Sequence, residues 1–425
     1  MTAPEHLKIT GPEDILGFIP HSLGYWPARS LVAMTLQGKR LGATLRVDLP
    51  DEGAGGQGGP PAAVRFARSV ASYLEADEEA DGSLLAFFTG MDGDGSTFAL
   101  LLQGLEHALA EAGMPVRDAW LIGADYWRNA YCNDPSCCAM PGRPVDEIRN
   151  SRLNAEMVFR GSTVGSAPGD PVPAPTRHVD PVVLAAEDDW ALLFAGRRRE
   201  RPQFAGALEV WTRVLRAPPG QELPAGLAGY LRATLCVPAW RDAVLVMAAA
   251  GPEAAGRGAE DFGVFDDGSG QRQGRPDPLP PLPLPPLEGF PPPARPGDVG
   301  GADGGAAGGS STGNEPVEVP AYGKVLLGLA PPVPDWPLMG QLDRILVQLA
   351  EAGGEAGAAA LTGRGWIEWC RGKGSYADAL FILAEAEYPG YRLAELLAEL
   401  VRRGTLCGWA GRKDSAWQKF EADAA

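Results

Sequence analysis

The sequence predicts an α/β N-terminal domain, a mixed sheet with crossover helices, followed by an α-helical block that a disordered Pro/Gly-rich linker interrupts. Three observations carry this reading. Through the first third of the 425 residues, short apolar and β-branched runs alternate with segments of helical period. From Asp180 onward only helical periods occur. The chain holds Gly 56 and Pro 40, about twice the usual share, and residues 251–320 carry a dense part of them.

The elements follow in order. Residues 7–9 read as a short strand. Thr10 or Gly11 then caps a helix with Pro12 in its first turn and Glu13 and Asp14 at the positive end of the dipole, and this helix is expected to stop by Pro20. Segments 30–36 and 41–49 form a hairpin around Gly38, Lys39 and Arg40. Residues 51–61 are a Gly-rich loop, 62–74 a helix, 83–88 a buried strand, 97–112 a helix capped by Ser96, and 119–122 another buried strand. Together they make a domain over 1–160. A helical block spans 176–250, opened by Asp180 as cap and Pro181 at the first helical position and continued by the stripe Phe204, Leu208, Trp211 and Leu215. The stretch 276–296 holds eleven prolines. With the Gly-rich 300–313 it makes 251–320 a disordered linker, in which P-x-x-P spacing suits either a stiff spacer or a docking ligand. The block 321–410 returns to helices as αα-hairpins. Ala377, Phe381, Ala384 and Pro389 follow the spacing of a tetratricopeptide second helix, yet Arg364 and Glu368 occupy the first-helix positions, so an ordinary αα-hairpin is expected.

Charge and motifs bound the function. Lys+Arg 37 against Asp+Glu 54 leaves −17, which repels nucleic-acid backbones and anionic membrane surfaces. The first ten residues do not read as a secretory signal, and apolar runs such as 243–250 fall far short of the ~18–20 residues of a membrane span. Six sparse cysteines fit a reducing compartment, so a cytoplasmic protein with no membrane and no nucleic-acid partner is expected. No G-x-S-x-G, H-E-x-x-H, Walker or dinucleotide spacing occurs, and no cofactor is implied. Asp92 and Asp94 begin like a calcium loop, but Thr97 and Gln103 stand where a Gly and a Glu are required.

Two constellations remain. Cys132, Cys137 and Cys138 lie within seven positions, but a zinc site needs four ligands and the fourth is missing nearby. A metal, a redox-labile disulfide and idle thiols stay open, with structural or redox cysteines and no metal as the expectation. The other group is Asp125, Trp127 and Arg128, after the strand 119–122, with His21 as a fourth member from the loop following the first helix. An acceptor, an aromatic face, a guanidinium and an imidazole at the carboxyl edge of a sheet make a ligand-binding candidate. A surface pair of Asp125 with Arg128 is the plain alternative.

The strings around these residues resemble a known family. Pro20, His21, Gly24, Tyr25, Pro27 and Ser30 to Val32, then Arg46, Asp48 and Pro50, then Trp127, Arg128, Cys132, Asp134, Pro135, Cys137, Cys138, Gly142 and Pro144 are similar to the uncharacterised actinobacterial family called domain of unknown function 4192. The segments at Arg241 to Ala243 and 366–391 are similar to it as well. This chain departs from that pattern at Ala139, where a Pro is expected, and in its long linker. The resemblance implies an actinobacterial cytoplasmic protein without an established activity. Two function classes follow. One is a non-enzymatic regulatory or scaffold protein that binds a small molecule or a protein partner. The other is an enzyme using a His/Asp/Arg or Cys-containing site at the sheet edge.

Overall fold

The computed structural model describes residues 9–50, 52–92, 96–132, 134, 136, 139–168, 180–265, 280–290, 292 and 320–418, with 52–61 by backbone alone. Two compact units emerge, Met1–Val172 and Pro173–Ala410, with short C-terminal pieces assigned to each.

Among its described residues, the first unit is built on a six-stranded mixed sheet. Its strands are β1 (Ser30–Gln37), β2 (Arg40–Asp48), β3 (Gly82–Phe88), β4 (Val116–Ile122), β5 (Tyr126–Asn129) and β6 (Arg143–Pro144), in the order β2-β1-β3-β4-β5-β6. Among neighbouring pairs only β3 and β4 run parallel, joined by a crossover helix, and every other neighbouring pair is antiparallel, while a second crossover helix carries the chain from β2 past β1 to β3. Helices α1 (Pro12–Leu23), α2 (Glu52–Leu74), α3 (Ala99–Glu111), α4 (Asp146–Arg149) and α5 (Arg152–Phe159) complete the unit. Alternate side chains supply two cores. Leu31, Leu85, Phe87, Ala119 and Leu121 pack with α2 and α3, while Val32, Leu84, Phe88, Trp120 and Ile122 pack with Leu16 and Ile19 of α1 and Ile148 of α4. Covering both faces explains why the central strands read as continuous apolar runs.

Several expectations need correction. The helix α1 does not stop at Pro20. A proline removes one amide donor from the helical ladder, and the end is set instead by Gly24, whose φ of 93° lets its N–H return to Pro20 O at 2.7 Å. His21 therefore sits in the last turn of a helix, not in a loop. The backbone of the Gly-rich 52–61 is helical and belongs to α2. A 3-10 turn, Ser96–Phe98, precedes α3, so Phe98 rather than Ser96 holds the cap position. Ile9 is outside any strand, and the remainder of the expected 7–9 strand lies outside the described residues.

Among its described residues, the regular structure of the second unit is all helix: α6 (Pro181–Phe194), α7 (Arg201–Leu215), α8 (Ala225–Leu235), α9 (Pro238–Asp261), α10 (Tyr322–Leu326), α11 (Trp336–Ala350), α12 (Gly354–Cys370), α13 (Gly374–Glu387) and α14 (Arg392–Arg402). Asp180 caps α6 as expected, its Oδ1 accepting from Val182 N at 2.8 Å. The blocks 176–250 and 321–410 form one body rather than two. Trp211, Trp240 and the buried run Ala243 to Ala249 share a single core with Leu342, Leu346, Trp366, Phe381 and Trp409. Ala377, Phe381 and Ala384 are core residues of the α12–α13 hairpin, and Gly365 gives the Phe381 ring room where a Cβ would collide.

The linker assignment of 251–320 also shifts. The helix α9 continues through a break at Gly251 (φ 88°) to Asp261. Residues 280–290 lie on the helical unit, with Phe290 1% exposed and Leu282, Leu284 and Leu287 against the core. Residues 266–279, 291 and 293–319 of the expected linker lie outside the described residues. Among the described residues, no single helix is long and apolar enough to cross a membrane.

Candidate functional site

The loops after β3 and β4 do leave the same edge of the sheet, as parallel neighbours must. They are laced together rather than open. Asp92 Oδ1 accepts from the main-chain N–H of Asp125 (3.2 Å) and of Tyr126 (3.1 Å), and Thr89 N–H donates to Ile122 O at 2.8 Å. Gly123 is required there, since a Cβ would run into the Asp92 carboxylate and Met91 O.

The four ligand-binding candidates do not converge on this edge. Asp125 is exposed at the β4–β5 turn, and its carbonyl accepts from Val145 N at 2.8 Å. Trp127 is on β5 opposite Ile122, 2% exposed, with the Arg143 guanidinium 4.5 Å from its ring centroid. Arg128 pairs with Leu121, so it projects to the opposite face. There its Nη2 donates to Cys132 O at 3.0 Å and Nη1 to Met140 Sδ, which anchors both residues to β5. The indole N–H groups of Trp127 and Trp120 are buried with no partner among the described residues.

His21 is 1% exposed and held at both ends. Its Nδ1 lies 2.9 Å from Ser162 Oγ and its Nε2 2.7 Å from Asn154 Oδ1. Asn154 is fixed in turn, its Nδ2 donating to Arg149 O at 2.6 Å. A hydroxyl, an imidazole and an orienting amide in this order match the arrangement that activates a nucleophile. Two features count against that use. Ser162 is 5% exposed, and its N–H is spent on Met157 O at 2.9 Å, so it offers no donor to an oxyanion. Beside this group, burial raises the Asp14 carboxyl, but hydrogen bonds from Thr10 Oγ1, Thr10 N and Leu153 N, helped by Arg152, outweigh it and leave the carboxyl below its usual range. The network ties α1 to α5.

Cys132 is half-buried, and Cys137 and Cys138 lie outside the described residues. Among the described residues, no three His, Cys, Asp or Glu side chains gather as metal ligands.

The helical unit holds two features that composition did not single out. Arg232, 1% exposed, donates Nε to Glu187 Oε2 at 2.6 Å, Nη2 to Gly353 O at 2.7 Å and Nη1 to Leu349 O. A cation thereby closes the C-terminal end of α11. Burial, with Glu187 and Glu355 nearby, pushes the Cys236 thiol up to about 12, so it stays protonated and is no nucleophile.

The second feature is the seat of the proline-rich segment. Arg197 Nη1 donates to Pro280 O (2.7 Å), Leu282 N–H donates to Gln203 Oε1 (3.1 Å), Gln221 Nε2 donates to Gly289 O (3.2 Å), and Arg213 Nε donates to Phe290 O (2.8 Å). Gln203, Gly206 and Arg213 recur along one stripe of α7, and a Cβ at Gly206 would meet Leu284 Cδ2 at 3.3 Å. The sequence signal was present in the leucines between the prolines, but the proline and glycine content around them masked it.

No curated protein and no solved structure matches the chain. A family model does match, over residues 12–259, from the first helix through the break in α9. That span covers more than half of the chain, including the sheet, His21, the β4–β5 edge, Arg232 and α7, and the chain therefore belongs to the family described as Domain of unknown function (DUF4192).

Proposed function

We propose that this chain is a non-enzymatic partner-binding protein of the cytoplasm, a regulatory or scaffold element whose recognition surface lies on its helical unit. The observation that carries the reading is the seating of residues 280–290. A segment with neither helix nor strand is held along α7 by side chains that bond its main chain, which is how a receptor grips an extended partner. The spread of His21, Asp125, Trp127 and Arg128 over separate contacts supports binding over catalysis. The net charge of −17 favours a protein partner over nucleic acid. Affinity capture from an extract of the source cell, comparing the full chain with its Gln203→Ala/Arg213→Ala variant, tests this. Proteins enriched on the full chain and lost on the variant are expected. Equal recovery on both would remove α7 from the account.

One observation favours a second reading, a hydrolytic enzyme, namely the Ser162, His21, Asn154 order. A fluorophosphonate probe decides it. Stoichiometric labelling of Ser162 in the folded protein, lost in His21→Ala, would install the enzyme reading, and the binding reading expects no labelling.

A further inference from the structure

The burial of the proline-rich segment has a period. Prolines at 280, 281, 283, 285 and 286 fix φ near −65° and push the residues before them out of the helical region, so the run through Leu287 favours a polyproline-II helix of three residues per turn. Its three ridges are treated differently. Pro280, Pro283 and Pro286 are all exposed. Leu282 and Pro285 form a second ridge turned inward, and Leu284 and Leu287 form a third behind the exposed Pro281. A turn then ends the run, Phe290 N–H donating to Leu287 O at 3.0 Å across Gly289 (φ 81°), and sets a fully buried phenylalanine against the core. Two ridges in and one out is the pattern of a docked polyproline ligand, whereas a spacer would bury none.

The α7 side is built to match. Gln203 is 2% exposed and gives its Oε1 to the Leu282 N–H, a main-chain donor spaced between prolines. Arg197 and Arg213 supply cationic donors to carbonyls near the two ends, and polyproline-II carbonyls have no partner within their own helix. Gly206 removes the Cβ that would stand against Leu284. Every polar contact named goes to the main chain, so what is read is conformation plus the leucine and phenylalanine spacing.

Resting on the partner-binding reading, we infer that this α7 face is a receptor for polyproline-II segments that carry leucine anchors at i and i+3 and turn at a glycine into an aromatic anchor, and that the chain's own residues 280–290 occupy it as a built-in competitor. The partner is a protein with an exposed proline-rich run of that spacing. Asp261 and Tyr322, the nearest helix residues on either side, flank the segment at chain separations of 19 and 32 residues, so the tether holds it at about millimolar effective concentration. An incoming segment must outcompete that.

The test uses the full chain bearing Leu284→Ser and Phe290→Ser, which weaken the resident segment and leave α7 intact. The probe is a fluorescein-labelled peptide of residues 276–296, followed by anisotropy. Saturable binding is expected, at least tenfold tighter than to the unsubstituted chain and at least tenfold weaker once Gln203→Ala is added. A peptide carrying the same two serines should not bind. No saturable binding to the substituted chain, or binding indifferent to Gln203→Ala, overturns the inference. Should that chain melt early, the unsubstituted protein is cut at protease sites inserted near 270 and 305. Exchange of the nicked segment for labelled peptide upholds the inference, and retention without exchange makes the segment a fixed part of the core and overturns it. Peptide binding without loss of captured partners in the Gln203→Ala/Arg213→Ala variant would leave this inference standing and sink the function reading alone.

Discussion

Replacing Arg232 with Met keeps most of the apolar stem and deletes the guanidinium. Three acceptors lose their donor at once: the Glu187 carboxylate and the carbonyls of Leu349 and Gly353. Removing one partner of a buried ion pair costs about 3–5 kcal/mol, and each bare carbonyl costs about 1–3 kcal/mol more. Overlap among the three brings the expected loss to about 4–6 kcal/mol, a large part of the stability of an ordinary domain. The loss has a pH signature. Burial already raises the Glu187 carboxyl, with Asp188 and Glu355 adding to the rise and Arg232 opposing it. A raised carboxyl binds its proton more tightly in the folded state, so its contribution to stability improves as pH falls from neutrality toward the ordinary carboxylate range. Without Arg232 the rise is larger, and the deficit of the variant should narrow on acidification to about pH 5. Adding Glu187→Leu should recover roughly half of the deficit, because the carbonyls at the end of α11 stay bare. Urea unfolding followed by circular dichroism at 222 nm measures all three quantities. A loss under about 1 kcal/mol in the single variant, or a deficit that widens on acidification, would refute the reasoning.

Three further outcomes are expected. Burial raises the Asp77 carboxyl, but bonds from Thr35 Oγ1, Ala43 N and Gln37 Nε2 prevail and hold it below its usual value, so its stabilisation is present above about pH 4 and is lost as pH falls through the lowered value. Asp77→Asn should flatten the acid limb of the unfolding curve for the sheet unit. His21→Ala should cost about 2–4 kcal/mol, from a cavity plus two stranded partners, and leave the melting of the helical unit unchanged in a scan that resolves both transitions. Arg128→Ala should free the loop held at Cys132 O and speed modification of Cys132 by a thiol reagent severalfold, whereas an Arg128 that served only a surface pair predicts no change.

The legible part of the fold was whatever rests on local pattern. The runs that became β1 to β4 and the helical stripes of α7, α8 and α11 to α14 carry their period in sequence, and a sheet with crossover helices followed from the alternation of strands and helices. The strands β5 and β6 were not legible. Tyr126 to Asn129 spans four residues and Arg143 to Pro144 two, and their strand character comes from partners, β4 for the one and β5 for the other, rather than from propensity. That gap shaped the site. Read as a loop, Asp125, Trp127 and Arg128 converge, but read as a turn and a strand they alternate between faces, one held under Arg143 and another on Cys132 O. His21 stood out by residue type alone, but its partners Ser162 and Asn154 are more than 130 positions away and carry no local signal. In 280–290, proline content spoke for a solvated spacer. The i, i+3 spacing of Leu284 and Leu287 was the better guide, since a stiff helix with an apolar ridge loses little entropy when it docks.

Hydrogen exchange at the Leu282 amide tests the central claim most directly, because this N–H lies between prolines and its bond to Gln203 Oε1 exists only while the segment sits on α7. The account predicts exchange slowed at least tenfold relative to a free peptide of residues 276–296, with the slowing abolished by Gln203→Ala. Exchange at the free-peptide rate in the intact protein would contradict it.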